Sequence, residues 1–327
     1  MGDKTGISWT NATWNPLRGC SRVSEGCRNC YAEPIAARFC GTGQPYEGLV
    51  HRVGGEARWT GKVRLVESAL NQPLRWKKSR MIFVNSMSDL FHEKVPDEWI
   101  DRIWAVMALA PQHTFQILTK RPERMSTYLS AARAHPVGME AFGITLDHHA
   151  RNPKSTVGAG CMLQGDIAHL KIWPLPNVWL GVSVEDQKTA DERIPLLLAT
   201  PAAKRFISAE PLLGSVELRS VPLPHQWDRC ECQQNDAKYD ALSSTVYCSG
   251  CCEGPERMDA AHIDWVIVGG ESGPGARPMH PDWARSLRDQ CAAAGVPFFM
   301  KQMGGLSKSR MAKIPGELLV QEFPDAR

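Results

Sequence analysis

Seven short, continuously apolar runs set between helical patterns predict an α/β fold. The expected architecture is a complete or partial TIM-type (β/α) barrel with a small cysteine-rich, zinc-ribbon-like insertion. Three observations predict it. The runs are continuous rather than alternating, as strands are when a parallel sheet is covered on both faces. The segments between several of them carry apolar residues at helical spacing, which makes successive βαβ units. No G-x-G-x-x-G follows the first strand and no Walker A motif occurs, so the nucleotide-binding open sheets lack their signal.

In chain order, MIFVNS (81–86) reads as a buried strand, and 97–109 reads as a helix with Ile100, Ile103, Trp104 and Met107 on one stripe and Asp97 as its cap. TFQILT (114–119), a helix over 122–134, AFGIT (141–145) and VWLGVSV (178–184) continue the repeat. A helix over 187–199 follows, striped by Ala190, Ile194, Leu197 and Leu198. RFISA (205–209), WVIVGG (265–270), a helix over 281–294 and PFFMK (297–301) complete it. Two stretches stand outside. Residues 41–66, rich in Gly and Arg, read as a long loop or small accessory piece, and 222–262 as an insertion. The domains are therefore 1–221 and 263–327, the two parts of the barrel, around the 222–262 insertion.

Composition narrows the function classes. The 327 residues are 43% hydrophobic and 22% charged, which argues against a disordered or fibrous chain. No apolar run approaches the ~18 residues of a membrane span, and the N-terminus lacks a basic region leading into an apolar stretch. A cytoplasmic protein without membrane partners is expected. The net charge, +3 from 38 basic and 35 acidic residues, does not by itself predict nucleic-acid binding. Eleven cysteines without an export signal point to metal or redox chemistry rather than a disulfide framework.

In a barrel the active site lies at the C-terminal strand ends, and here these ends are polar. Ser86 and Asp89, Lys120 and Arg121, Ser183 and Glu185, Ser208 and Glu210, Glu271, and Lys301 lie at or just after the ends of six of the seven runs. Basic Lys120, Arg121 and Lys301 facing acidic Glu185, Glu210 and Glu271 suit a zwitterionic or phosphate-bearing ligand. A ring of ion pairs bracing the mouth is the alternative.

The cysteines form two groups. Cys20, Cys27 and Cys30, in NPLRGCSRVSEGCRNCYAE (15–33), supply three thiolates. These suit a zinc ion with an open position, or a [4Fe–4S] cluster with one iron free for a ligand. Cys230, Cys232, Cys248 and Cys251, with Cys252 beside them, form C-x-C-x15-C-x2-C. Two thiolate pairs in an insertion with few apolar residues suit a structural Zn2+, with an auxiliary iron–sulfur cluster as the alternative. Lys238 and Arg257 lie close enough in sequence to serve substrate capture. Cys40, Cys161 and Cys291 read as small buried apolar residues.

Asn-Pro-x-x-Gly-Cys followed by Cys-x-x-Cys-Tyr-Ala resembles the cluster loop of radical S-adenosylmethionine (radical SAM) enzymes, and most of all the spore photoproduct lyase branch. The first spacing is six residues here where three is usual. Over nearly the whole chain, GISWTNATWNP, NSMSDLFHE, ILTKRPERM, RFISAEPLLG, DWVIVGGESGPGARPMHPDW and VPFFMKQMGG also resemble a phage and prophage three-cysteine-motif family of uncharacterised function. The radical SAM resemblance implies that Cys20, Cys27 and Cys30 ligate a [4Fe–4S] cluster whose fourth iron binds S-adenosylmethionine. Reductive cleavage, fed by an electron donor, would yield a 5′-deoxyadenosyl radical. Tyr31 occupies the position of an aromatic that flanks adenine. Ser86, Ser183 and Glu185 are candidates for cofactor contacts, and Lys120, Arg121, Glu210, Glu271 and Lys301 for catalytic ones. A nucleobase or nucleic acid is the implied substrate class. The competing expectation is a non-catalytic, zinc-stabilised phage protein that binds nucleic acid or a protein partner.

Overall fold

The computed structural model describes residues 5–134, 174–222, 238–247, 256–257, 261–306 and 310–324. The expected strand at 141–145, Cys161 and all five cysteines of the second group lie outside them. In chain order the elements are β1 (Ala12–Trp14), β2 (Leu17–Arg18), α1 (Ala32–Ala37), β3 (Val50–Val53), β4 (Glu56–Trp59), β5 (Arg64–Leu65), α2 (Glu67–Leu70), β6 (Met81–Val84), α3 (Asp97–Ala108), β7 (Thr114–Thr119) and α4 (Pro122–Ala134). They continue with β8 (Val178–Ser183), α5 (Gln187–Ala199), β9 (Lys204–Ala209), β10 (Val221–Pro222), β11 (Lys238–Asp240), β12 (Thr245–Tyr247), β13 (Glu256–Arg257), β14 (Trp265–Gly269), α6 (Pro281–Ala294) and β15 (Phe298–Gln302).

Seven strands form one curled parallel sheet in the order β1-β6-β7-β8-β9-β14-β15, a half-barrel compatible with a partial barrel. Spatial order follows chain order, as repeated right-handed βα units require. The strand period of two divides the side chains between the faces. Ile82, Val84, Phe115, Ile117, Leu180, Val182, Val266 and Val268 pack outward against Ile100, Ile103 and Val106 of α3, Ile194 and Leu197 of α5, and Leu287 and Cys291 of α6. Phe83, Trp179, Phe206, Trp265, Ile267 and Phe299 pack on the concave face, where Trp9 joins them. The Trp9 and Phe83 ring centroids stand 4.7 Å apart. Burying each ring is worth about 1.5–3 kcal/mol, so this cluster and the helix layer hold the curl from both sides. Gly181 leaves the space into which the Phe206 ring fits, because a Cβ there would come within 2.5 Å of that ring.

Local signals fix the helix ends. Asp186 accepts from the Thr189 amide at 2.9 Å in a capping box that opens α5. Pro281 occupies the first turn of α6, and Gly295 closes it in the left-handed region at φ 67°. At α3 the cap position is Pro96 rather than Asp97, which is the first helical residue and places its charge in the positive first turn.

Residues 41–66 form the accessory piece, the β3–β4 hairpin with β5 pairing to β2. Ala32 and Ala36 of α1 pack against Leu49, Val50 and Trp59 of this hairpin. Within 222–262 the described residues form short antiparallel strands in the order β10-β11-β12-β13. The open edge of β15 is covered by the tail. The Met300 amide donates to the Val320 carbonyl at 2.8 Å and the Glu322 amide to the Phe298 carbonyl at 3.0 Å. No helix among the described residues is long and apolar enough to cross a membrane.

Candidate functional site

The concave face changes character along the strands. Trp179, Gly181 and Ser183 succeed one another at the period of two on β8, as do Phe206 and Ser208 on β9, and Phe299 and Lys301 on β15. Each strand thus runs from an aromatic floor to a polar C-terminal end. Lys301 Nζ meets Glu210 Oε1 at 2.5 Å, with both side chains about one-fifth exposed. Gly269 lies directly under Glu210, where a Cβ would stand 3.2 Å from the carboxyl carbon.

The Cys20–Cys30 loop crosses this mouth and is held to three strand ends. Beyond β8, the buried Glu185 carboxylate receives Lys120 Nζ, Arg193 Nη1 at 3.1 Å and the Ser24 hydroxyl at 3.2 Å. Burial opposes its ionisation, yet Lys120 and Arg193 outweigh burial and hold the carboxyl below its ordinary value. Gly26 lies flush against it, since a Cβ would overlap Oε1. Beyond β14, Glu271 accepts from Asn29 Nδ2 at 2.9 Å, and from Arg277 Nε at 2.9 Å and Nη2 at 2.6 Å. The same guanidinium donates to the Glu25 carbonyl at 2.8 Å, so both acid and base grip the loop. Burial disfavours the Glu271 carboxylate, but these hydrogen bonds keep its pKa below the usual range.

Beyond β7, Arg121 pairs with Asp89 at 3.0 Å and Glu93 at 3.1 Å, and donates to the Ser21 carbonyl at 3.1 Å and hydroxyl at 2.8 Å. Its Nη1 lies 3.9 Å from Cys20 Sγ. Asp89 is held in turn by the Thr119 hydroxyl at 2.8 Å. His92 is fully buried; its Nδ1 accepts from the Lys94 amide at 3.1 Å, which leaves Nε2 to donate to the Ser21 hydroxyl at 3.0 Å. The Tyr31 hydroxyl donates to the Ser86 carbonyl at 2.5 Å. Gly19, at φ 91°, passes so close to the Lys62 carbonyl that a Cβ would overlap it.

The three thiols are half-buried. Burial and the Asp89 charge push Cys20 up to about 12, against the pull of Arg121, and Cys30 and Cys27 raise it further. Burial also pushes Cys30 up, against the Ala32 amide that favours its thiolate. Cys20 and Cys30 are therefore held as neutral thiols, and a cation beside them would be what favours their thiolates. Among the described residues no three His, Cys, Asp or Glu side chains already converge as ligands of one metal ion would. By the chemistry of its donors, an all-thiol set would suit a thiophilic centre, zinc or iron–sulfur.

Most of the sequence-derived candidates meet in these contacts. Lys120 and Glu185 pair, Lys301 and Glu210 pair, and Arg121 and Glu271 hold the cysteine loop. The Ser86 hydroxyl is turned to Asn15 Oδ1 at 3.1 Å, and the buried Ser183 offers its carbonyl to Arg193 at 2.7 Å. Sequence reasoning does not single out Arg193, Arg277 or Asn29. Arg193 carried a signal, a charged residue in an apolar stretch of a helix stripe. Asn29 and Arg277 carried none, because their partners are set by the fold. The Cys230, Cys232, Cys248 and Cys251 group lies outside the described residues.

A family model described as "Protein of unknown function (DUF5131)" matches residues 4–322, and the chain belongs to that family. No curated protein and no solved structure matches it.

Proposed function

We propose that this DUF5131 family member is a radical S-adenosylmethionine-type iron–sulfur enzyme, with a nucleobase or nucleic acid as its substrate class. The observation that supports this reading most is the three-thiol loop fastened across the polar mouth of a curled parallel sheet by Glu185, Glu271 and Arg121. Cys20, Cys27 and Cys30 would hold the [4Fe–4S] cluster. With S-adenosylmethionine and an electron donor, that group supplies a 5′-deoxyadenosyl radical for hydrogen abstraction from substrate.

The chain's own residues have separable tasks. Arg121 steadies Cys20 and offsets the charge of its thiolate. Glu185 and Glu271 fix the height of the loop over the mouth through Ser24 and Asn29. Lys301 and Glu210 form an accessible ion pair, whose two members match the carboxylate and ammonium of an amino-acid zwitterion that replaces their mutual contact. The aromatic floor excludes water from below.

The same proposal extends the half-barrel to a TIM-type (β/α) barrel and assigns Cys230, Cys232, Cys248 and Cys251 a structural Zn2+ in the 222–262 insertion. A cytoplasmic location suits thiols that must stay reduced. The test is anaerobic purification with iron and sulfide analysis, and EPR after dithionite with and without S-adenosylmethionine. About four irons per chain, a signal perturbed by S-adenosylmethionine, and loss of both in a Cys20→Ala, Cys27→Ala, Cys30→Ala variant are expected. Zinc without iron would overturn the reading in favour of a zinc-stabilised binding protein.

A further inference from the structure

Of the eight large apolar side chains that are exposed among the described residues, four lie between 23 and 39: Val23 (46%), Tyr31 (45%), Ile35 (38%) and Phe39 (49%). They follow from the two-sided build of α1. Ala32, Glu33 and Ala36 are buried toward the β3–β4 hairpin and the cysteine loop. Tyr31, Ile35 and Arg38 stand four and three residues apart on the opposite side, with Phe39 next to them. The Tyr31 hydroxyl is fixed to the Ser86 carbonyl at the strand end, so its ring stands at the rim of the mouth.

Charge surrounds this stripe. Between residues 12 and 66 there are eight arginines and lysines against four glutamates, a net +4 in a chain whose total is +3. The remainder of the molecule is therefore close to neutral, and the cationic excess sits in the layer formed by the cysteine loop, α1 and the hairpin. Arg28, with 66% of its side chain exposed and Nη1 3.8 Å from the exposed Glu25 carboxylate that a phosphate would displace, and the exposed Arg38 bracket the rings along the chain. Exposed rings with adjacent guanidinium groups are what unpaired bases and their phosphates require. The rings offer stacking platforms and the arginines neutralise the backbone. A duplex keeps its bases stacked on one another and has no face to give them.

We infer that this layer is a landing surface for single-stranded nucleic acid, on which bases stack against Tyr31 and Phe39 while Arg28 and Arg38 take the phosphates beside the cysteine loop. The inference deepens the proposed function by naming the form of its substrate, and as substrate it rests on that reading. DNA and RNA share this chemistry.

Fluorescence polarisation on the full-length, anaerobically purified chain tests it. The probes are a labelled oligothymidylate, an oligouridylate and a DNA duplex of matched length. At least one single strand is expected to bind more tightly than the duplex, with affinity that falls as salt rises. The tighter of the two identifies DNA or RNA. Arg38→Glu combined with Phe39→Ala is expected to weaken that binding by roughly five- to hundredfold, the range set by loss of one base stack. Arg28→Glu alone should weaken it and make its loss with salt shallower. These side chains are exposed, so unchanged melting curves should accompany the change. Failure of both single strands to bind, duplex binding as tight as single-strand binding, or full affinity in the double variant overturns the inference. Iron analysis on the same preparation separates the two readings. Iron without strand binding removes only this inference, and strand binding without iron removes only the radical chemistry.

Discussion

Replacing Glu185 with alanine removes one carboxylate that three groups share. Lys120 and Arg193 are left with side chains 18% and 7% exposed and no counter-charge on Glu185 to meet. The Ser24 hydroxyl loses its acceptor, and the Gly26 backbone loses the surface it lies against. Breaking a buried ion pair from one side costs about 3–5 kcal/mol, because the cost is the stranded charge rather than the lost contact. For a chain of this size that is a fall of roughly 6–10 °C in Tm, at about 2 °C per kcal/mol. Glu185→Gln keeps the shape and the Ser24 bond and should fall between parent and alanine variant. Gly26→Ala approaches the same contact from the other side, since its Cβ would enter the carboxylate. Thermal melting by circular dichroism reads the stability, and the rate of thiol modification reads the loop. Both alanine variants should react faster than the parent. The carboxyl is held below its usual pKa, so its contribution is present above about pH 4.5 and lost as the pH falls through its folded value. A Glu185→Ala protein that melts within about 1 °C of the parent, with unchanged thiol rates, would refute the claim that this residue fastens the loop.

Three further outcomes are expected. Gly19→Ala should destabilise by more than about 1–2 kcal/mol, because it combines a left-handed φ with overlap on the Lys62 carbonyl; urea titration checks it. Gly181→Ala should cost about 1–3 kcal/mol by forcing the Phe206 ring from its place in the concave cluster, and should alter the near-ultraviolet circular dichroism of the surrounding tryptophans. Burial and the neighbouring Arg121 push His92 down to about 4. Its contribution is therefore complete above about pH 6.5 and is lost as the pH falls toward 4, amounting to about 2 kcal/mol at pH 5. Urea titrations at pH 7.5 and pH 5 should show a smaller loss in His92→Gln than in the parent, and an equal loss refutes the assignment.

Much of the half-barrel was legible. β7, α4, α5 and α6 occupy the expected residues because each combines an uninterrupted pattern with a definite boundary, such as Asp186 ahead of α5 or Gly295 after α6. Strand β1 offered no such run. Its three residues, with Thr13 only half-buried, are a strand because Ile82, Phe83 and Val84 lie alongside them. The polar strand ends were legible as a convergence, and ion pairs such as Lys120–Glu185 and Lys301–Glu210 as one of its two readings, but their hold on the cysteine loop was not. Glu185 and Glu271 look alike in sequence as acids after buried strands. That each holds the cysteine loop depends on Ser24 and Asn29, 161 and 242 residues away. Local pattern carries the period and the caps, whereas pairings across such distances arise only when the sheet curls.

Those distances also order events during synthesis. Cys20, Cys27 and Cys30 are made before every residue that secures their loop: Arg121, Glu185, Glu271 and Arg277 follow in that order. At roughly 5–20 residues per second, the 242 residues between Asn29 and Glu271 take about 12–50 s to translate. Through the first part of that interval the loop has none of its anchors; Arg121 and then Glu185 are made before Glu271 completes the set. The loop is therefore fastened in steps, first at Arg121, then at Glu185, and last at Glu271 and Arg277.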